Sequence, residues 1–215
     1  MSGDRIPVIG MVGGIGSGKS TLARWVAERY PVVAIDADRI GHQVLERPDV
    51  IRRLREQLGD DILNEQGNID RARLARRVFG DTPAHHADRQ RLEQIVHPEI
   101  QQDIERTVAG LDPSATCCVL LDAAVLLESG WDRICDFVIF VDAPEALRHH
   151  RITSLRGWSA DELARRSASQ WPLERKRSAA TALVDNAGPI DESGARLWNV
   201  VQRLVPGCGR GPGAG

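Results

Sequence analysis

The 215-residue chain is about one and a half times the ordinary domain length, so one compact unit carrying an insertion is the expectation. Its composition, 42% hydrophobic and 27% charged, excludes wholesale disorder, and a net charge of −2, from 28 Lys+Arg against 30 Asp+Glu, argues against nucleic acid as the main partner. No apolar run approaches the ~20 residues of a membrane span. Asp4 and Arg5 precede the first apolar run, which argues against a secretory signal and for the cytoplasm.

Residues Ile6 to Val12 read as a buried strand, Gly13 to Gly18 as a glycine-rich turn, and Ser20 to Tyr30 as a helix with Leu22, Trp25 and Val26 on one face. Further short apolar runs follow, each ended by aspartate: Val32 to Ile35 before Asp36, Val119 to Leu121 before Asp122, Phe137 to Val141 before Asp142, and Ala182 to Val184 before Asp185. Fully apolar strands alternating with helices predict a parallel sheet covered on both faces. Between the second and third strands, Ile95, Ile100, Ile104, Val108 and Leu111 recur at helical spacing, with Pro98 marking a start or a kink. That stretch is too long for a simple crossover and predicts an inserted helical subdomain. Residues 144–178 form another helical stretch, rich in arginine, and the glycine-rich C-terminus reads as a disordered tail.

The four cysteines, Cys117, Cys118, Cys135 and Cys208, make no C-x-x-C pair. Cys117 and Cys118, as neighbours on a strand, would point to opposite faces and would not easily chelate one ion together. The expectation is small buried hydrophobes in a reducing compartment. Lysine is scarcer still: Lys19 and Lys176 stand against 26 arginines, so a lysine kept at position 19 asks for a specific reason.

That reason lies in Gly13-Gly14-Ile15-Gly16-Ser17-Gly18-Lys19-Ser20, which matches G-x-x-x-x-G-K-[ST] at every fixed position, with a strand before it and a helix after it. Glycines let the loop curl so that successive backbone N–H groups face phosphate oxygens. The helix adds its positive N-terminal end. Lys19 can reach the β- and γ-phosphates, and the Ser20 hydroxyl can bind Mg²⁺. A dinucleotide fingerprint starting at Gly14 fails because Lys19 stands where it needs glycine. The fold expected is therefore α/β of the P-loop NTPase type, a parallel sheet flanked by helices, binding a nucleoside triphosphate.

Lys176 sits in Arg175-Lys176-Arg177-Ser178, so no N-K-x-D guanine-reading motif exists. A small kinase needs a carboxylate near the acceptor hydroxyl and arginines over the transferring phosphoryl. Asp36, Asp38, Asp122 and Asp142 follow apolar strands, at the sheet end where ligands sit. Arg148, Arg151, Arg156, Arg165 and Arg166 lie where a closing lid is expected, and guanidinium forks suit phosphate oxygens. These residues alone leave open a kinase for a nucleotide or other small metabolite, and an ATP-binding regulator without turnover.

The ordered set of motifs resembles the dephospho-coenzyme A kinase family over about Gly10 to Asn186. It comprises the glycine loop through Thr21, Ile35-Asp36-Ala37-Asp38, Gly67-Asn68-Ile69-Asp70-Arg71 with Leu74 and Val78-Phe79, and His97-Pro98. Asp122 with Leu126-Leu127-Glu128, Arg151, Gln170 with Pro172-Leu173, and Asp185-Asn186 complete it. Val12, Ala124 and Leu155 depart from the family's usual threonine, proline and lid arginine, and Arg156 follows one place on. The resemblance implies transfer of the ATP γ-phosphoryl to the ribose 3′-hydroxyl of dephospho-coenzyme A, the last step of coenzyme A biosynthesis, with Mg²⁺. It implies Asp38 as base or orienter, with Asp36 second, and Lys19 and the loop from Gly14 through Ile15, Gly16, Ser17 and Gly18 holding phosphates. Ser20 would bind the metal, Thr21 would meet the α-phosphate, and Arg151 would stabilise the transferring group. Arg71, Leu74, Phe79, His97 and Glu128 are candidates for gripping the acceptor. The layout expected is one domain over 1–207, with core about 5–45 and 115–205, acceptor-binding insertion about 46–114, lid about 144–178, and a tail over 208–215. No nucleic acid or membrane partner is expected, and the sequence leaves the oligomeric state open.

Overall fold

The computed structural model describes residues 5–156, 163, 166–167 and 170–209, the side chains of Leu155 and Arg156 excepted. Each of the five apolar runs forms a strand: β1 Val8–Gly13, β2 Val32–Asp36, β3 Cys118–Asp122, β4 Phe137–Asp142 and β5 Ala182–Asp185. The sheet order is β2-β3-β1-β4-β5 and every pairing is parallel. β1 and β3 are buried along their whole lengths, as strands covered on both faces must be, and this is why they read as unbroken apolar runs. The edge strands β2 and β5 admit exposed residues. Register places Asp36 beside Asp122 and Asp142 beside Asp185. The strand-ending aspartates thus share the carboxyl edge, where ligands bind in open parallel sheets.

The helices in chain order are α1 Lys19–Ala27, α2 Ala37–Val44, α3 Pro48–Leu58, α4 Arg71–Val78, α5 Pro83–Ala109, α6 Glu145–Arg156, α7 Leu173–Ser178 and α8 Ile190–Leu204. The chain divides into two compact units, residues 1–36 with 108–215, and residues 37–107.

In the sheet unit, α1 turns Leu22, Ala23 and Val26 inward and α8 turns Leu197, Trp198, Val200 and Val201 inward. These side chains form one core with Ile9, Met11, Leu120, Ile139 and Val184. Each fully buried aliphatic there contributes about 1.5–3 kcal/mol relative to exposure. Tyr30 stacks on Trp198, ring centroids 4.0 Å apart, and ties the end of α1's turn to α8.

The helical unit begins at Ala37, immediately after β2, and so takes in α2, which the sequence layout counted with the sheet core. The apolar face of α2, Ala37, Ile40 and Val44, is buried, and Gly41 lies against Ile100 of α5. Pro48 opens α3 at a position where a missing N–H costs nothing. Asp70 caps α4, its carboxylate accepting the N–H groups of Ala72 and Arg73 at 2.9 and 3.0 Å, and the Arg73 N–H holds its pKa below the usual carboxylate value. Pro98 does not start a helix, because α5 runs continuously through it. Arg47 pairs with both Glu99 and Asp103, and Arg53 with Glu99 at 2.8 Å. Such partly exposed pairs set register more than they add stability.

Two expectations about the cysteines and the tail are corrected. Cys117 and Cys208 form a disulfide, their Cα atoms 5.1 Å apart, and Cys208 belongs to a 3₁₀ turn at Pro206–Gly209 packed on the core. Residues 210–215, the rest of the expected tail, lie outside the described residues. Moreover, the sulfurs of Cys117, Cys118 and Cys208 all lie within 4.8 Å of one another. The alternation argument fails because β3 begins at Cys118, so Cys117 precedes the pleated strand and is not bound by its period.

Candidate active site

β1 ends at Gly13 and α1 begins at Lys19, with the glycine-rich turn between them. Gly13, Gly16 and Gly18 have φ of 155°, 79° and 87°, a region L-residues with side chains avoid. Sterics add to this: a Cβ on Gly13 would lie 2.5 Å from the Val141 carbonyl oxygen, and one on Gly16 would lie 2.6 Å from that of Arg148. The Ser17 N–H donates to the Gly14 carbonyl at 3.0 Å, closing the turn, and Leu22 N–H donates to Gly18 at 3.0 Å, starting the helix. The first turn of α1 carries no acidic side chain, so its positive end is left for an anion. Lys19 Nζ donates to the Gly13 carbonyl at 3.4 Å across the mouth of the loop. Ser20 and Thr21 are exposed at the same helix start.

Helix α6 lies over this loop and delivers two arginines three residues apart. Arg151 donates from Nη1 to the carbonyls of Ser17 at 3.2 Å and Gly16 at 3.5 Å, and from Nη2 to the Asn186 carbonyl at 3.1 Å. Burial pushes its pKa down. Asn186 Nδ2 donates to the Ser17 carbonyl at 2.6 Å. Arg151 is therefore fastened to the loop's backbone in this state. Arg148 anchors its Nε on the Ala143 carbonyl at 3.2 Å and lays its guanidinium along Gly14, where an added Cβ would meet Nη1 at 2.7 Å. Of the remaining lid arginines, Arg166 is exposed, while Arg165 and the Arg156 side chain lie outside the described residues.

The candidate carboxylates separate by environment. Asp36 is exposed at the end of β2 and its register neighbour Asp122 is buried. Asp142 accepts from Arg177 Nη2 at 2.6 Å, and Arg177 also covers the Phe140 ring at 4.9 Å, so that aspartate holds α7 to β4. Asp38 is exposed in the first turn of α2, two residues beyond β2. The donor set at the loop and strand ends, a hydroxyl from Ser20 and carboxylates from Asp36 and Asp122, is all oxygen, the kind Mg²⁺ takes.

Glu128 follows β3 and receives the Trp171 N–H at 2.6 Å and Lys176 Nζ at 2.9 Å. Lys176 is 1% exposed and also donates to Gln170 Oε1 at 3.0 Å and the Ala124 carbonyl at 3.3 Å. Glu128 Oε2 is buried with no hydrogen-bond partner. The Arg175-Lys176-Arg177-Ser178 context does not foretell this buried pair, and the signal in the chain is that Lys176 is one of only two lysines.

The helical-unit candidates have mixed surroundings. Arg71 Nη2 lies 2.6 Å from His42 Nε2. Leu74 is buried with Val78 on the inner face of α4, and packing accounts for it. Phe79 is 59% exposed, with the Arg89 guanidinium 5.9 Å from its ring. His97 is half-buried inside α5, and desolvation pushes its pKa down. Part of the Gly67–Arg71 marker is explained by folding alone: Gly67 supplies φ 77°, Asn64 Oδ1 accepts from the Gln66 and Asn68 N–H groups, and Asp70 is the α4 cap.

The model of the dephospho-CoA kinase family matches residues 7–192. A dephospho-CoA kinase from Rhodopirellula baltica is 39% identical over 187 residues, covering 86% of this chain and 85% of its own. One from Deinococcus radiodurans is 37% identical, covering 91% of each. Among solved structures, TT1252 from Thermus thermophilus superposes with a TM-score of 0.78 at 30% identity, covering 93% of this chain and 98% of that one. A loop that only glycine can build, a lysine across its mouth and a match running through both units lead to one conclusion: this chain belongs to the dephospho-CoA kinase family.

Proposed function

We propose that the protein transfers the γ-phosphoryl group of ATP to the ribose 3′-hydroxyl of dephospho-coenzyme A, giving coenzyme A and ADP. The observation that carries this is the Gly13–Ser20 loop, whose shape only glycine allows and whose helix start is free of acidic side chains. In this reading the loop's N–H groups and Lys19 hold the β- and γ-phosphates, and Thr21 lies toward the α-phosphate. Ser20 with Asp122 or Asp36 would hold Mg²⁺, which supplies charge neutralisation on the phosphate oxygens. Asp38 takes or orients the acceptor's proton as its oxygen bonds to the γ-phosphorus and the β–γ bridging oxygen departs on ADP. Its exposed carboxylate two residues past the end of β2 supports that role. Arg148, already along Gly14, is the arginine placed to meet charge on the transferring group; Arg151 holds the loop's carbonyls and would reach phosphate only by releasing them. Positioning and electrostatics then supply most of the acceleration. Arg71, Phe79 and His97 remain the candidates for acceptor contact in the helical unit, and Glu128 in the sheet unit. No helix among the described residues is long and apolar enough to cross a membrane, and we place the reaction in the cytoplasm.

The test is to mix purified protein, ATP, Mg²⁺ and dephospho-coenzyme A and to follow ADP and the product's mass. Product gaining one phosphoryl group is expected. ATP consumption with another acceptor but not this one would replace the substrate assignment, and no ATP consumption with any acceptor would overturn the kinase reading.

A further inference from the structure

Three sulfurs meet at the amino-terminal edge of the sheet, away from the loop. Cys117 stands just before β3, Cys118 is its first residue and is buried, and Cys208 arrives from the 3₁₀ turn after α8 and is buried. All three sulfur atoms lie within 4.8 Å of one another, while two of them are joined in the disulfide. The third is excluded from that bond and yet shares its pocket. The surrounding core is apolar, with Val32, Val201 and Val205 in the same cluster. Nothing there explains a third cysteine as a hydrogen-bonding or catalytic group.

We propose that Cys117, Cys118 and Cys208 in their reduced form make a three-thiolate site for a thiophilic d¹⁰ cation of the Zn²⁺, Cd²⁺ and Cu⁺ class, and that the Cys117–Cys208 disulfide is the oxidised, metal-free form of the same site. Thiolate sulfur selects such cations over Mg²⁺ or Ca²⁺, which take oxygen. The spacing is short enough for one ion to bond all three sulfurs, since each Zn–S bond is about 2.3 Å. No fourth protein ligand is close among the described residues, so the three sulfurs are the protein ligands the described residues supply. On reduction a dithiol reductant gives two electrons and two protons to the disulfide, the S–S bond breaks, two thiols form, and the reductant becomes a disulfide. Metal binding then displaces protons from the thiols into solvent. In a reducing cytoplasm the thiol form is the one to expect.

The experiment uses the whole protein, reduced with dithiothreitol, freed of reductant without oxygen, and titrated with Cd²⁺. The result expected is thiolate-to-Cd²⁺ ultraviolet absorption saturating at one equivalent, absent from the oxidised protein. Cys118→Ser should still form the Cys117–Cys208 disulfide, which shows that it folds, while its Cd²⁺ affinity falls by at least about a hundredfold, more than the loss of an outer-shell partner costs. Cys135→Ser should bind Cd²⁺ as the parent does. Kinase turnover should be unchanged in both variants, because neither position touches the loop. Unchanged Cd²⁺ affinity in Cys118→Ser would overturn the site. So would a folded, reduced parent that gives no Cd²⁺ absorption while its four thiols titrate on unfolding.

Discussion

The two edges of one sheet carry different chemistry. At the carboxyl edge the strands end in aspartates and a turn that only glycine can build, and the polar groups are backbone N–H, lysine, arginine and carboxylate. At the amino edge, four residues back along β3 and thus about 13 Å away, the groups are sulfur set among valines. One edge suits a hard, oxygen-rich anion with its Mg²⁺, and the other suits a soft cation. Hydrogen bonding to a highly charged ligand needs donors held rigidly, which helix starts and strand ends supply. Thiols tolerate burial, so a sulfur cluster can be part of the core itself.

Substitutions can break that contrast, and the largest effect belongs to Lys19→Ala, which removes the cation at the loop mouth and should lower kcat by at least about a hundredfold. Steady-state rates with ATP and dephospho-coenzyme A check this, and normal rates would move the phosphates elsewhere. Asp38→Asn should cut turnover by about a hundredfold or more while ATP affinity, read by titration calorimetry, stays put; retained turnover would shift the role to Asp36 or Asp122. Lys176→Met should destabilise the fold by about 3–5 kcal/mol, because it leaves the Glu128 carboxylate buried without its cation. The double change Lys176→Met with Glu128→Gln should recover much of that loss in urea unfolding. Gly16→Ala should cost about 1–3 kcal/mol in backbone strain and weaken ATP binding, because the Arg148 carbonyl occupies the space for a methyl group. The smallest consequence for function is at Cys135, whose thiol burial pushes up to about 12. Thiolate is the reactive form, so at pH 8 its alkylation in the folded protein should run about 10³-fold slower than in the unfolded chain. Peptide mapping after a timed iodoacetamide pulse reads that ratio, and equal rates would show an open pocket.

Local pattern made most of the carboxyl edge legible. Five apolar runs, four of them ended by aspartate and the first by glycine, form five parallel strands, and β1 and β3 are the sharpest because a strand buried on both faces has no polar residue to blur its limits. The loop was legible because its glycines are demanded by backbone angle, a property of each residue alone. The partners of the arginines were not. That Arg151 bonds Gly16, Ser17 and Asn186, while Arg148 runs along Gly14, depends on how α6 crosses the loop. Leu74 is buried on the inner face of α4 while Phe79, the residue just past that helix's last turn, is exposed, and an eight-residue helix gives too few turns to read that from periodicity.

What the chain's own residues determined was the strand set, the phosphate-binding turn and the family, since each rests on contiguous residue types whose conformational or hydropathic preference is local. Tertiary structure alone decided that α2 joins the helical unit, that Lys176 pairs with Glu128 across 48 positions, and that Cys208 returns to Cys117 across 91. These are meetings between distant segments, set by how helices pack on a closed core, and no spacing along the chain encodes them.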